Sequence, residues 1–147
     1  MLMKINECDP EHEDAQTVIS RLSETLMEII GDSGISSFDL EDVRQPRSVF
    51  VVGYEARRPV ACGALRPISD EIAELKRMYA ESGTGKRVLI DLEVRALGLG
   101  YSRIWLSTRV KNERAVRFYE KHGYVKIQNY GKYKGRVNSV CFEKHLV

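Results

Sequence analysis

The chain has 147 residues and a formal net charge of +2, and its length suffices for one domain with a hydrophobic core. With 43% hydrophobic and 30% charged residues and no apolar run long enough to cross a membrane, its composition excludes membrane-spanning, fibrous and disordered classes and predicts a single domain over residues 1–147. Because the N-terminus lacks a signal-peptide profile and the 3 cysteines show neither metal-ligand spacing nor a disulfide framework, we expect a cytoplasmic protein with no metal and no membrane partner.

The first third of the chain predicts a strand followed by a helix. Alternating apolar and polar residues indicate a strand over Met1–Glu7. An apolar stripe at helical spacing predicts a helix over Ala15–Ile30, and Gly31 ends it. A short second helix is predicted over Phe38–Val43.

Three antiparallel strands, separated by short turns, are predicted next, at Ser48–Glu55, Val60–Arg66 and Glu71–Ala80. A helix over Lys86–Leu97 then crosses back, so that the following strand, Tyr101–Thr108, is parallel to Glu71–Ala80. A helix and two strands complete the chain, at Glu113–His122, Tyr124–Gln128 and Ser139–Lys144. The predicted fold class is therefore α/β (α+β), with a mixed, mostly antiparallel central sheet flanked by helices.

The segment between Ile72 and Tyr124 has the layout of a phosphate-binding site. A strand leads through the glycine turn ESGTG into a helix, whose first N–H groups and positive dipole end favour an anion. A second helix begins at Asn112, beside the first. Lys86 and Arg87 in the first turn oppose the helix dipole unless an anion is bound. This layout predicts a phosphate-bearing cofactor between two helix starts.

The distribution of charge agrees with a cofactor of this kind. Residues 1–75 carry 7 Lys and Arg against 15 Asp and Glu, a balance of −8, whereas residues 76–136 carry 15 against 5, a balance of +10. A basic half suits either nucleic acid or the phosphates of a cofactor. The basic residues lie mostly on helical segments and lack the interleaved aromatics of a base-stacking surface, so nucleic acid is the lesser alternative.

Three motifs occur in order along this region: ELKRMYA, GTG-K and N-x-x-A-x-x-x-Y-x-x-x-G-Y. They resemble the acetyl-CoA motifs of the GNAT superfamily of N-acetyltransferases, closely over residues 60–147 and loosely over the whole chain. The resemblance implies a GNAT-type acyl-CoA fold, acetyl-CoA as co-substrate, and transfer of its acetyl group to a primary amine of a small molecule or peptide. Because no cysteine stands where a covalent intermediate would obviously form, we expect direct attack in a ternary complex. It is also compatible with a homodimer. The cofactor contacts that it implies are Met78, Tyr79, Ala80, Gly83, Thr84, Gly85, Lys86, Arg87, Asn112 and Ala115.

Acetyl transfer needs an acid that protonates the departing thiolate, and Tyr119 is the candidate. It lies seven residues after Asn112 and four after Ala115, so the three share one helix face. The resemblance implies that its hydroxyl reaches the sulfur. A core aromatic residue is the alternative interpretation.

The reaction also needs a base, because a protonated amine is not a nucleophile. Glu74 is the candidate, acting directly or through water, since strand alternation places it in phase with Lys76, Met78 and Ala80. A cross-strand salt bridge from Glu74 to Arg66 or Lys76 is the alternative.

Arg66, Arg77 and Tyr133 are predicted to line the acceptor site. Arg66 suits a substrate carboxylate, whereas the acidic cluster between Asp9 and Asp14 suits a cationic amine, so the sequence leaves the charge of the acceptor open.

One segment departs from the family pattern [Q/R]-x-x-G-x-[G/A]. Ala80 stands at the Gln/Arg position, and only Glu81 and Ser82 separate the strand from the glycines. Either the phosphate cradle is short, or residues are missing from the printed chain at this point. A short cradle predicts weak coenzyme A binding and favours the alternative function, a non-catalytic acyl-CoA-binding or regulatory module.

Overall fold

The computed structural model describes residues 3–34, 39–81 and 83–146. Its strands are β1 (Lys4–Glu7), β2 (Val49–Glu55), β3 (Arg58–Pro67), β4 (Ile72–Ala80), β5 (Arg103–Arg109), β6 (Val125–Ile127) and β7 (Ser139–His145). Its helices are α1 (Glu13–Ile30), α2 (Gly85–Gly98) and α3 (Glu113–Lys121), with single 3-10 turns at Leu40–Val43 and Gly131–Tyr133. Among the described residues, one mixed sheet forms in the order β1-β2-β3-β4-β5-β7-β6.

The predicted mixed α/β architecture is confirmed. β4 and β5 run parallel, and the other neighbouring strands are antiparallel. The predicted helix over Phe38–Val43 is a 3-10 turn at Leu40–Val43, while Phe38 and residues 1–2 of the predicted first strand lie outside the described residues. Nowhere in the described chain is a helix both long and apolar enough to cross a membrane.

Helix α2 packs on one face of the sheet. The four residues predicted to be its apolar side, Val88, Leu89, Leu92 and Ala96, are all buried in one cluster with side chains of β3, β4 and β5. Burying side chains of this size stabilises the fold by roughly 1.5–3 kcal/mol for each large aliphatic residue. α3 covers the same face, which we call the α2 face.

Helix α1 packs on the opposite face, which we call the α1 face. Ala15, Val18 and Ile19 are buried there against residues of β2 and β3 that include Phe50 and Val52. The two cores hold the sheet between them.

β4 and β5 separate after a short paired stretch. Their parallel pairing covers only Ile72–Glu74 against Arg103–Trp105, although β4 continues to Ala80 and β5 to Arg109. The diverging ends open a cleft in the middle of the sheet.

A β-bulge at Arg77 corrects the predicted phase of β4. Cys62 pairs with Tyr79 and Ala64 with Lys76, so β4 has one residue more than β3 between these pairs. Arg77 has a φ of 50°, in the left-handed region. The extra residue reverses the alternation, so that Glu74 and Lys76 point to the α1 face while Met78 packs with the α2 cluster. The prediction that Glu74, Lys76, Met78 and Ala80 share one phase is therefore wrong.

Candidate active site

The cleft between the diverging strands has a volume of about 210 Å³. Several predicted site residues line it, among them Glu74, Met78, Asn112, Ala115 and Tyr119. Tyr133 lines it as well, from the loop between β6 and β7. Because its walls come from both faces of the sheet, the cleft connects the α1 face to the α2 face.

On the α2 face, helix α3 presents one row of residues to the cleft. Asn112 caps the helix, since its side-chain oxygen accepts a hydrogen bond from the N–H of Ala115 at 3.3 Å. Tyr119 lies two turns further and is only 7% exposed, with the rings of Phe118 and Tyr124 packed edge-on at 5.3 and 5.5 Å. The shared helix face predicted from the sequence is thus present.

The Tyr119 hydroxyl has the properties of a proton donor. Burial raises its pKa above the ordinary range of tyrosine, so it keeps its proton at neutral pH. Within the described part of the chain, this hydroxyl bonds to no other group, although it lines the cleft. It is therefore available to a molecule in the cleft.

The start of helix α2 lies beside α3 but outside the walls of the cleft. A side chain at Gly85 would come within 3.1 Å of the Phe118 ring, which shows how closely the two helix starts approach. Thr84 precedes the helix, and its hydroxyl bonds back to the Glu81 carbonyl at 2.6 Å rather than to the helix. The first N–H groups of α2 are consequently left without a side-chain cap, as an anion site requires.

The short connection before α2 closes as a turn. The Thr84 N–H donates to the Glu81 carbonyl at 3.0 Å, and Gly83 adopts a φ of 85° that favours glycine. Lys86 and Arg87 are exposed in the first turn.

Two residues of the predicted cofactor set have side chains directed away from the cleft. The Tyr79 ring packs with the α1 core near Cys62, and Ala80 packs against the α2 core. Neither lines the cleft. Only their backbone groups are available to a cofactor.

Glu74 is held in a buried ion pair on the α1 face. Its side chain is 3% exposed, and Oε1 accepts a hydrogen bond from Nε of Arg66 at 2.7 Å. Oε2 accepts a hydrogen bond from the Tyr130 hydroxyl. The salt bridge to Arg66 that the sequence left open is therefore present, with Glu74 still lining the cleft.

Arg66 has a different place from the one predicted. Its guanidinium bonds to Glu74 and lies 3.5 Å from Asp42 of the first 3-10 turn, and it does not line the cleft. The structure therefore makes it a partner of Glu74 instead of a wall of the acceptor site.

Sequence reasoning missed the aromatic group that supports Glu74. Tyr130 packs on Trp105 at 4.9 Å and on Tyr133 at 5.5 Å, and Trp105 in turn donates to Glu143 at 2.7 Å. The two tyrosines of the YGKY segment were the available signal, but Trp105 is distant in sequence and comes beside Glu74 through the pairing of β4 with β5.

The other missed walls come from α1 and its following loop. Leu22, Leu26 and Ile30 make one side of the cleft apolar. Asp32 forms an ion pair with Arg109, with 2.8 Å between the carboxylate and the guanidinium. Both members of this ion pair line the cleft.

Arg77, at the bulge, ties the loop after α1 to the sheet. Its guanidinium donates to the Ser33 carbonyl at 3.0 Å and to the Ser23 hydroxyl at 2.7 Å. These bonds connect the bulge to α1, through Ser23, and to the loop that follows it, through Ser33.

Lys76 is a buried cation in the cleft wall. It is 9% exposed, and burial lowers its pKa from 10.5 to about 8, although the neighbouring Glu74 opposes this effect. Near pH 8 a substantial fraction of this amine is therefore neutral.

We expect Lys76→Met to raise the melting temperature by several degrees at pH 7 and by much less at pH 10. The folded pKa of about 8 lies below the value of 10.5 for the free side chain, so the unfolded chain binds more protons between these pH values. Charged Lys76 therefore destabilises the fold fully below pH 8, and this penalty disappears as the pH rises. Thermal unfolding of both proteins at the two pH values measures the difference.

Lys126→Met is the matched control, because Lys126 is an exposed lysine on strand β6. Its effect on the melting temperature should not depend on pH in this way. If Lys76→Met raised the melting temperature equally at pH 7 and pH 10, burial would not disfavour the charged form of this lysine.

Comparisons with known proteins agree with this geometry. The model of the Acetyltransferase (GNAT) family matches residues 15–124. The chain is 29% identical over 119 residues to the uncharacterized N-acetyltransferase YsnE of Bacillus subtilis (strain 168), covering 76% of this chain and 79% of that protein.

Two solved structures have the same fold. An acetyltransferase from Streptococcus agalactiae superposes with a TM-score of 0.80 at 20% identity, covering 97% of this chain and 98% of that one. The PaiA N-acetyltransferase of Thermoplasma acidophilum, in complex with coenzyme A, superposes with a TM-score of 0.74 at 18% identity, covering 99% of both chains. The family match spans well over half of the chain, and the predicted fold and motifs agree with it. The protein therefore belongs to the Acetyltransferase (GNAT) family.

Proposed function

We propose that the protein transfers the acetyl group of acetyl-CoA to a primary amine by direct attack, with both substrates bound together. The observation that carries the proposal is the cleft itself. It places a protonated tyrosine, Tyr119, on the α2 face and a carboxylate, Glu74, on the α1 face of one opening. An acid on one side and a proton acceptor on the other are what amide formation from a thioester requires.

Two regions of the chain suit two parts of an acetyl-CoA molecule, the pyrophosphate and the pantetheine arm. The uncapped start of α2, with exposed Lys86 and Arg87, would hold the pyrophosphate. Asn112 and Ala115 would line the path of the pantetheine arm toward Tyr119. The PaiA structure that shares the fold holds coenzyme A. Once bound, acetyl-CoA supplies the activated acetyl group.

The proposed roles of Glu74 and Tyr119 follow from which of the two side chains carries a proton. Glu74 accepts a proton from the ammonium group of the acceptor, directly or through water, so that a neutral amine is present. Although each of its oxygens already accepts one hydrogen bond, a carboxylate oxygen has a second lone pair for another. The Tyr119 hydroxyl donates its proton as the sulfur departs and regains one from the nitrogen that is now bonded to the acetyl carbon. Backbone N–H groups near the bulge of β4 are the proposed partners of the thioester oxygen.

Direct attack is preferred over an acetyl-cysteine intermediate. Among the described residues, no cysteine lines the cleft, and burial raises the pKa of Cys62 to about 12. A thiol with that pKa is almost entirely protonated at neutral pH and is a poor nucleophile.

A non-catalytic acyl-CoA-binding module is the second candidate. The observation that favours it is the short connection before α2, which carries alanine where the family pattern has Gln or Arg. The small-molecule or peptide nature of the acceptor, the homodimer and the cytoplasmic location remain predictions.

Initial rates with acetyl-CoA and amine both varied test the proposal. Direct attack predicts intersecting lines in a double-reciprocal plot and no added acetyl mass on the protein incubated with acetyl-CoA alone. Parallel lines together with an acetylated protein would contradict it. Coenzyme A binding without any rate would favour the non-catalytic candidate.

A further inference from the structure

We propose that the acceptor amine also carries a carboxylate and that Arg136 binds this carboxylate. The inference rests on the proposed acetyl transfer and specifies the class of acceptor. It selects between the anionic and cationic acceptors that the sequence left open. It is based on the charge of the residues that line the cleft and on the Arg136 guanidinium, which has no ion pair or hydrogen bond within the described residues.

The charged residues that line the cleft are predominantly basic. The acidic ones are Asp32 and Glu74, and the basic ones are Lys76, Arg77, Arg109 and Arg136. Part of the Lys76 population is neutral near pH 8. Even without its charge, the arginines that line the cleft outnumber the carboxylates. Such a lining attracts an anionic group and disfavours a polyamine.

Both carboxylates of the cleft already have a cationic partner. Asp32 pairs with Arg109 at 2.8 Å, and Glu74 pairs with Arg66 at 2.7 Å. A second positive group on the acceptor would therefore find no carboxylate of the cleft that lacks a partner.

Arg136 differs from the other arginines of the cleft. Its side chain is exposed, and within the described residues its guanidinium has no ion pair or hydrogen bond. Its backbone is nevertheless fixed, since its N–H donates to the Tyr133 carbonyl at 3.0 Å and its carbonyl accepts from the Asn129 side chain at 3.0 Å. Because its backbone is fixed and its guanidinium is available, Arg136 is suited to bind a carboxylate. Arginine binds carboxylates through two parallel hydrogen bonds.

The remaining walls describe the body of the acceptor. Leu22, Leu26 and Ile30 offer an aliphatic surface in the cleft that Glu74 and Arg136 also line. A small molecule with an amine, an aliphatic body and a carboxylate matches these three features. A free amino acid and a short peptide both have this chemistry.

Matched pairs of acceptors test the inference. Aliphatic amino acids, short peptides, the carboxamide of each, and a polyamine are assayed for release of coenzyme A. We expect kcat/KM for the carboxylates to exceed that for their amides by about tenfold or more, as loss of a charge-assisted bidentate contact predicts. Whether free amino acids or peptides react faster identifies the source of the carboxylate.

The variant Arg136→Gln should lower kcat/KM for carboxylate acceptors by about tenfold and leave that for the amides unchanged. Lys134→Gln is the control, because it removes an equal charge from an exposed residue of the same loop that does not line the cleft. It should change neither value.

The outcomes separate this inference from the proposed function. Turnover of amides or the polyamine as fast as carboxylates would overturn the inference and leave acetyl transfer standing. The inference would also be overturned if Arg136→Gln lowered kcat/KM equally for carboxylates and amides. The same holds if Lys134→Gln lowered kcat/KM for carboxylates as much as Arg136→Gln does. No turnover with any amine would overturn both.

Discussion

Replacing Tyr119 with phenylalanine is expected to lower kcat about 100-fold or more while leaving the affinity for acetyl-CoA unchanged. The substitution removes the hydroxyl but keeps the ring that packs on Phe118 and Tyr124. A positioned acid typically contributes about 10²–10⁴-fold to the rate. Steady-state rates at saturating acetyl-CoA, together with calorimetric binding of coenzyme A, measure the two quantities.

Tyr124→Phe is the control for this experiment. Its hydroxyl is also in a buried tyrosine, but it donates to Glu93 at 2.9 Å and does not line the cleft. This variant should lose some stability and little activity. If Tyr119→Phe kept kcat within twofold of the parent protein, Tyr119 would not be the acid.

Replacing Glu74 with glutamine should reduce both turnover and stability. Glutamine cannot accept the proton of the amine, so we expect kcat/KM to fall by about 100-fold or more. It also replaces the charged partner of Arg66, which should lower the free energy of unfolding by about 1–3 kcal/mol. The rates over a range of pH and the thermal unfolding curve measure these effects separately.

Arg66→Gln distinguishes catalysis from structure at this position. It breaks the same ion pair but leaves the carboxylate in the cleft. If Glu74 is the base, Arg66→Gln should keep far more activity than Glu74→Gln at a similar loss of stability. Equal losses in both variants, with an unchanged shape of the pH–rate profile, would assign Glu74 a purely structural role.

The order and type of the elements were predictable because they depend on local periodicity. The helical spacing of Val88, Leu89, Leu92 and Ala96 predicted the buried side of α2, and all four are buried. The shared face of Asn112, Ala115 and Tyr119 likewise follows from helical spacing, whereas the expectation that this face meets the cofactor came from the family resemblance.

The position of Glu74 relative to Met78 was not predictable in the same way. It depends on a single extra residue in β4, and the bulge falls at an arginine, a residue type that gives no signal for a left-handed φ. One inserted residue moves the following side chains to the other face of the sheet.

Contacts between distant parts of the chain were also beyond sequence reasoning. Tyr130 meets Glu74 across 56 residues, and Arg109 meets Asp32 across 77. Neither pair follows from a local pattern, since the folding of the sheet and the position of α1 create both. These contacts shape one side of the cleft, so the charged residues that line it could be identified only from the structure.

Amine-dependent release of coenzyme A tests the central claim most directly. The protein is incubated with acetyl-CoA and a panel of primary amines, and free thiol and N-acetylated amine are both quantified by mass spectrometry. The account predicts that the two products appear in equal amounts, at a rate well above that without amine. Binding of coenzyme A with no amine-dependent release of thiol would contradict it.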